Sequence, residues 1–366
     1  MATDETEVLP ESYPMNGGDG KVSYARNSFA QRTSVDASKK FISEAIADLL
    51  DTELNPILDS SIRFQIADLG CATGPNTFYA VQNIIEAINS KYSMNKHQKS
   101  QALEYQVFFN DHTNNDFNTL FRSLPLPRPY FPVAVPGSFY GRLFPKDSIH
   151  LMHSSNSLNW LSRVPKDVGD INSPAWNGDS IYCTGTAKEV VEAYSNQYKK
   201  DMNNFLNARA LELVAGGLLV LVVGGVPNCV SLNQTGIGKD YEIIGSCLVD
   251  MANKGLISKE KVKSFNLPLY YPSPNEIEKL IEDNGCFGIE RMETFPGKGK
   301  HIHNSQMWPM IVRAAFEAII SNHFGNEMVE ELFGYYSKNH MDKVSIFNGD
   351  DVISLLHLNI VLKRKN

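Results

Sequence analysis

Residues 64–77 read FQIADLGCATGPNT, and the fold turns on them. An apolar run closes on Asp68 and passes into a segment where Gly70 and Gly74 enclose Cys71, Ala72 and Thr73. A short apolar run bounded by glycine is expected to be a buried strand, and glycine just past a strand end lets another molecule come close to the main chain. A second strand is expected at EYQVFFND, 104–111, and it also closes on an acid, Asp111. The competing reading makes the glycines ordinary turn residues and the aspartates strand-end caps.

Outward from this stretch, helical periodicity marks 37–50 (ASKKFISEAIADLL), with Ser34 or Asp36 as N-cap, and 77–92 (TFYAVQNIIEAINSKY). Past a proline-rich loop, short strands are expected around FPVAVPGSF and DSIHLMHSS. A helix over 189–213 and a buried strand over 216–225 (GGLLVLVVGG) follow. Nearly all-apolar strands alternating with helices indicate an α/β fold whose sheet is covered on both faces and binds ligand beyond the carboxyl ends of its strands. The pattern divides the chain into a lead-in, 1–20, a sheet core, 21–230, a mainly helical cap with some core elements, 231–345, and a C-terminal core strand, 346–366.

Composition narrows the function. A formal net charge of -7 argues against a nucleic-acid binder, which usually carries a basic excess. No apolar run approaches the roughly 20 residues that span a bilayer. The acidic N-terminus lacks the layout of a signal peptide. Five scattered cysteines without CxxC spacing suit buried, reduced thiols rather than disulfides or zinc, so a reducing, cytoplasmic location is expected.

Several phosphate and nucleophile motifs are excluded. Gly70 and Gly74 do not make the dinucleotide GxGxxG, GIGKD (236–240) lacks the P-loop hydroxyl, and GSFYG (137–141) has its serine in the wrong place for a nucleophile elbow. The pair of histidines in HIH (301–303) reads as solvated loop more readily than as a metal site. Two acid-terminated strands around a glycine turn suit a cofactor with a ribose for Asp111 and a cation for Asp68. S-adenosylmethionine has both, and no phosphate.

Six ordered motifs sharpen this: YPMNGGDGKVSYARNSFAQR (13–32), IADLGCATGPN (66–76), FNDHTNNDFNTLFRSLP (109–125), VPGSFYGRLFP (135–145), HSSNSLNWLSRVP (153–165) and FNLPLYYPS (265–273). Together they resemble the plant SABATH family of carboxyl and N-methyltransferases, from about residue 13 to the C-terminus. The likeness is strongest to members acting on loganic acid and weaker to those acting on salicylic or farnesoic acid. It implies a Rossmann-like class I methyltransferase sheet under a helical cap, S-adenosylmethionine as methyl donor, and a homodimer. By resemblance, the cofactor residues are Tyr24, Ser28, Asp68, Gly70, Asn76, Asp111, His112, Ser138 and Phe139, with Asp111 on the ribose and Phe139 stacked on adenine. Gln31 and Trp160 hold the acceptor carboxylate. The bland alternative for Trp160 is a core tryptophan.

Departures from the salicylate-type pattern fall on the acceptor side. Asn16, Asn156, Asn159 and Tyr241 replace other residues there, with Asp240 beside the last, while Val312 and Ala315 are smaller than their counterparts. Buried amides need partners, so a roomy, polar pocket for a hydroxyl-bearing acid such as an iridoid glucoside acid is expected. Some relatives bind magnesium through an aspartate, a following Phe-Asn pair and an upstream Asn. Asn177, Phe265 and Asn266 match, but Lys263 stands at the aspartate position, and an ammonium repels a cation. The rivals are a ring-nitrogen methyltransferase of a xanthine-like base, favoured by Asn16; carboxyl methylation of salicylic, jasmonic, indole-3-acetic or farnesoic acid; phenol methylation with His153 or His112 as base; and a paralogue that binds cofactor or acid without turnover.

Overall fold

A computed structural model of the chain describes residues 10–50, 63–94, 103–178, 180–297, 307–343, 347 and 352–365. The HIH segment, 301–303, lies outside them. One sheet carries seven strands: β1 (Arg63–Leu69), β2 (Glu104–Asp111), β3 (Tyr130–Pro136), β4 (Ile149–Ser155), β5 (Leu213–Gly225), β6 (Phe287–Pro296) and β7 (Leu356–Arg364). Their order is β3-β2-β1-β4-β5-β7-β6. Strands β1 to β5 are parallel, while β7 is antiparallel to both β5 and β6. The order reverses between β1 and β4, and a crevice opens at their carboxyl ends.

Alternation along the strands sorts side chains onto two faces. Ile66, Val107 and Val220 pack with Phe41 and Ile46 of α2 (Phe29–Leu49) and Val81 and Ile84 of α3 (Pro75–Met94). Ala67 and Leu219 belong to the opposite core, with Tyr198 and Phe205 of α5 (Lys188–Glu212) and Ile277 and Ile281 of α8 (Pro274–Asn284). A third core joins α6 (Gly236–Asn253), α7 (Lys259–Ser264), α9 (Trp308–Phe324) and α10 (Val329–Asp342) through residues such as Leu248, Val262, Ile320 and Leu332. Two short helices, α1 (Tyr24–Asn27) and α4 (Phe117–Arg122), precede α2 and β3 respectively.

Some local expectations are corrected. Neither Ser34 nor Asp36 caps a helix: α2 begins at Phe29, so both lie inside it, where Asp36 pairs with Arg32 four residues earlier at 2.8 Å. Pro75 opens α3 two residues before the expected start, because a first-turn residue needs no amide donor. Strand β6 escaped notice because its side chains are mostly half-buried or exposed, without the apolar run of an inner strand. Cysteines 71, 183 and 247 are buried thiols, but Cys229 is exposed.

Candidate active site

The glycine segment makes a tight turn at the end of β1. Gly70 has φ +82, and a Cβ there would sit 2.4 Å from the Ser157 side chain. Its N–H and that of Cys71 both donate to Asn110 O, at 2.9 and 3.0 Å, which ties the β1 exit to the end of β2. At that end the Asp111 carboxylate accepts the N–H of Ala72 through Oδ2 (2.7 Å) and of His112 through Oδ1 (2.8 Å). The two bonds fix the carboxylate and leave lone pairs toward the crevice. Burial pushes the Asp111 carboxyl upward against these bonds and pushes the His112 imidazole downward, toward its neutral form.

A cavity of about 270 Å³ occupies the crevice. Its lining includes Tyr24, Gly70, Asp111, His112 and Phe139. Gln31 of α2 and Trp160 of the β4–α5 connection line the same cavity, as do Asn156, Tyr241, Val312 and Ala315. The Gln31 Oε1 is buried with no hydrogen-bond partner among the described residues, which leaves an acceptor open to a donor on a ligand. A smaller recess of about 40 Å³ adjoins this space through Tyr24, Gln31 and Gly70 and is also lined by Asp68 and Asn76.

Asp68 is held from inside the protein rather than left facing a cation. The Thr77 hydroxyl donates to its Oδ2, and His153 Nδ1 lies 2.6 Å from its Oδ1. Ser28, Ser138 and Asn16 do not line the cavity. Asn76 donates from Nδ2 to both Ser28 O (2.8 Å) and Ser28 Oγ (3.0 Å), making a brace between α1 and α3. The Ser138 hydroxyl accepts Tyr140 N–H at 3.3 Å inside the loop that presents Phe139.

The expected cluster of ligand-binding asparagines does not form. Asn16 donates from Nδ2 to Val22 O at 3.1 Å. Asn159 borders the cavity, but its Nδ2 donates to Gly224 O (2.7 Å) and Tyr270 O (2.9 Å), while its Oδ1 accepts Gly224 N–H (3.0 Å). It clamps the end of β5 to the segment before α8. Asn156 remains, with φ +58 and Nδ2 donating to Ser155 Oγ at 3.0 Å. Tyr241 pairs through its hydroxyl with that of Tyr271, 2.8 Å away, and burial pushes the Tyr271 phenol up to about 12. The neighbouring Asp240 faces the cap and accepts Tyr336 Oη at 2.9 Å. Around these groups the wall is apolar, with Leu269, Ile311, Phe316 and Leu355. Tyr13, Tyr271 and Phe316 were not singled out from sequence, although the first two lie inside motifs that were.

The residues proposed for magnesium do not fit a divalent cation. Asn177 Nδ2 donates to Asn266 Oδ1 at 2.7 Å and to Tyr182 O at 2.9 Å, so the Asn266 oxygen faces an amide donor rather than a cation, and the Asn266 Nδ2 is buried without a partner among the described residues. Phe265 packs on Phe324, with ring centres 5.0 Å apart, and Lys263 brings a like charge instead of a carboxylate. No group of three or more His, Cys, Asp or Glu side chains suited to a metal occurs among the described residues. No helix among them is long and apolar enough to cross a membrane.

Comparison with known proteins points the same way. Residues 10–365 match a family model described as SAM dependent carboxyl methyltransferase. Loganic acid O-methyltransferase of Catharanthus roseus is 47% identical over 366 residues, which cover 99% of this chain and 97% of that protein. Paraxanthine methyltransferase 2 of Arabidopsis thaliana is 41% identical over 331 residues, 88% of this chain and 90% of that one. A solved loganic acid methyltransferase with SAH superposes at a TM-score of 0.91 and 46% identity, covering 96% of this chain and 99% of its own.

Proposed function

Because the chain belongs to the family of S-adenosylmethionine-dependent carboxyl methyltransferases, we propose that it esterifies the carboxylate of a small plant metabolite, with a loganic acid-like iridoid acid first among acceptors. The observation that carries the reading is the meeting of two sets of groups in one cavity: Asp111 and Phe139 on the donor side, Gln31 and Trp160 on the acceptor side. Bound S-adenosylmethionine supplies an electrophilic methyl group. The protein has little else to provide. A carboxylate with a pKa of roughly 4 is already ionised in the cell, so no base is needed. The Gln31 amide and the Trp160 indole would donate to the carboxylate and aim one oxygen at the methyl. The apolar walls strip water from the nucleophile. As the new C–O bond forms, the sulfonium–methyl bond breaks with its electron pair left on sulfur, so both charges are neutralised and the methyl ester and S-adenosylhomocysteine result.

The iridoid preference is supported by kinship. The polar-pocket reason for it is gone, because Asn16 and Asn159 spend their amides on main-chain partners. The apolar wall of Leu269, Ile311, Phe316 and Leu355 favours a second reading, a less hydroxylated acid such as farnesoic or an aromatic acid. The xanthine alternative loses its sequence motive, because Asn16 lies off the cavity. A homodimer and a cytoplasmic location remain part of the proposal, and light scattering on the purified protein tests the first.

The test is methyl transfer from labelled S-adenosylmethionine to loganic, salicylic, benzoic, jasmonic, indole-3-acetic and farnesoic acids and to 7-methylxanthine, each with and without magnesium. A base-labile ester on one acid, independent of magnesium and abolished in Gln31→Ala, is expected. Label on the xanthine alone would overturn the carboxyl reading. Cofactor binding without label on any of these compounds would favour a paralogue that binds without turnover.

A further inference from the structure

We infer that residues 11–18 form a strap across the acceptor end of the cavity, and that Tyr13 on this strap is a positioning residue that braces the Trp160 indole from outside. The inference rests on the carboxyl-methyltransferase reading above. The strap is fastened to three separate elements. Glu11 N–H donates to Ser162 O at 2.8 Å, two residues past Trp160. Asn16 N–H donates to Ala314 O of α9 at 2.9 Å, next to the cavity residue Ala315. Gly18 N–H donates to Asp116 Oδ2 at 2.9 Å, and the same carboxylate caps α4 by accepting Thr119 N–H. The strap thus joins the sheet side of the cavity to the cap.

Between the first two fastenings Tyr13 and Met15 reach the cavity. The Tyr13 ring stacks on Trp160 with centroids 5.9 Å apart and planes 30° from parallel. Phe316 of α9 meets the same indole at 5.7 Å, with planes 46° apart. Trp160 is therefore held by one ring from the strap and one from the cap. The Tyr13 hydroxyl donates to Glu11, so the ring alone is offered to the indole. A side chain that must hold a carboxylate within bonding distance of a methyl group needs its orientation fixed, and stacked rings supply that at little cost in polar burial. The strap also covers the carboxylate against water, which would otherwise solvate the nucleophile. This gives Asn16 a part in the site through its main chain, although its side chain never reaches the acceptor.

The inference is tested with Tyr13→Ala and Tyr13→Phe, using whichever of loganic, salicylic and farnesoic acids the unmodified enzyme esterifies fastest, alongside calorimetric binding of S-adenosylhomocysteine. Tyr13→Ala is expected to raise the KM for the acid about tenfold and leave S-adenosylhomocysteine affinity within about twofold, while Tyr13→Phe keeps both within about twofold. An unchanged acid KM in Tyr13→Ala would overturn the positioning role. So would an equal loss of acid and S-adenosylhomocysteine binding, which would mark Tyr13 as support for the fold. If the unmodified enzyme esterifies none of the three, the measurement moves to whichever other acid of the panel it esterifies, and failure on all six would count against the parent reading and take the strap's role with it.

Discussion

Arg209 and Glu212, one turn apart on α5 and both fully buried, face each other at 2.8 Å and together hold the loop that presents Phe139. The guanidinium donates to Phe139 O (2.7 Å) and Gly141 O (2.8 Å), and Glu212 Oε1 accepts the N–H of Leu143 (2.5 Å) and Phe144 (3.1 Å). Every strong donor and acceptor of the pair is thus spent on the loop or on its partner. Removing one charge leaves the other buried and unpaired, which costs about 3–5 kcal/mol. Arg209→Met is therefore expected to lower the denaturation midpoint sharply and to weaken S-adenosylhomocysteine binding in whatever fraction remains folded. Chemical denaturation and calorimetry read the two effects, and a stable variant with unchanged affinity would refute the account.

Gly70 gives a cleaner separation of fold from function. Its φ of +82 strains any other residue by roughly 1–2 kcal/mol, and the added Cβ must also displace Ser157 from 2.4 Å. Ser157 donates to Leu69 O at 3.0 Å, so the displacement is passed to the end of β1. Gly74 has no positive φ, and a Cβ there would meet Ser28 Oγ at 3.3 Å, a contact that a small shift relieves. Gly70→Ala should weaken S-adenosylhomocysteine binding by about tenfold or more, and Gly74→Ala by much less. Isothermal titration of the two variants decides it.

The contrast between Gly70 and Asn159 shows what a sequence of this kind discloses. Strand ends, the glycine turn and Asp111 were legible because period, chain breaks and acid placement are local, and the α/β order followed from them. Gln31 and Trp160 were reached only through resemblance to a family, since nothing local separates an amide that serves a ligand from one that serves the protein. Asn159 was misread for the same reason: its partners, Gly224 and Tyr270, lie 65 and 111 residues away, and only the folded chain brings them together. The buried Arg209–Glu212 pair and the Asp68–His153 contact were equally invisible, because an ion or hydrogen-bonded pair inside an α/β domain leaves no periodic trace.

Asn159 and Asn156 should accordingly behave in opposite ways. Asn159→Ala strands Gly224 N–H, Gly224 O and Tyr270 O, and each unsatisfied buried group costs about 1–3 kcal/mol. A lower melting temperature is expected, with no gain or loss of particular acceptors beyond it. Asn156 lines the cavity and gives its amide only to the adjacent Ser155 hydroxyl. Asn156→Gly, which removes the amide but accepts the φ of +58, should leave the melting temperature close to that of the parent and shift KM among the acids of the panel. Thermal melts beside the acceptor panel test both, and a specificity change in Asn159→Ala without destabilisation would restore it to the acceptor site.

The pH dependence of stability follows from the histidines. Burial pushes His112, His150, His323 and His357 below the ordinary imidazole value, so the folded protein binds their protons less readily than the unfolded chain does. Their contribution is complete above the unfolded value of roughly 6.5 and is lost as pH falls from there toward the lowered folded values. His150 shows the physical reason. Its Nδ1 accepts Gln65 N–H at 3.1 Å, and its ring lies against Phe64 with centroids 4.9 Å apart, so protonation would replace an acceptor by a donor in an apolar setting. Asp111 and Asp201, pushed upward by burial, act in the opposite sense within the carboxyl range, where the folded form takes up protons first. Denaturant midpoints measured from about pH 7.5 down to 6 should therefore fall, and His150→Gln, which keeps an acceptor but cannot titrate, should flatten part of that slope. A midpoint that rises over this range, or a slope untouched in His150→Gln, would show that these buried imidazoles do not govern the response.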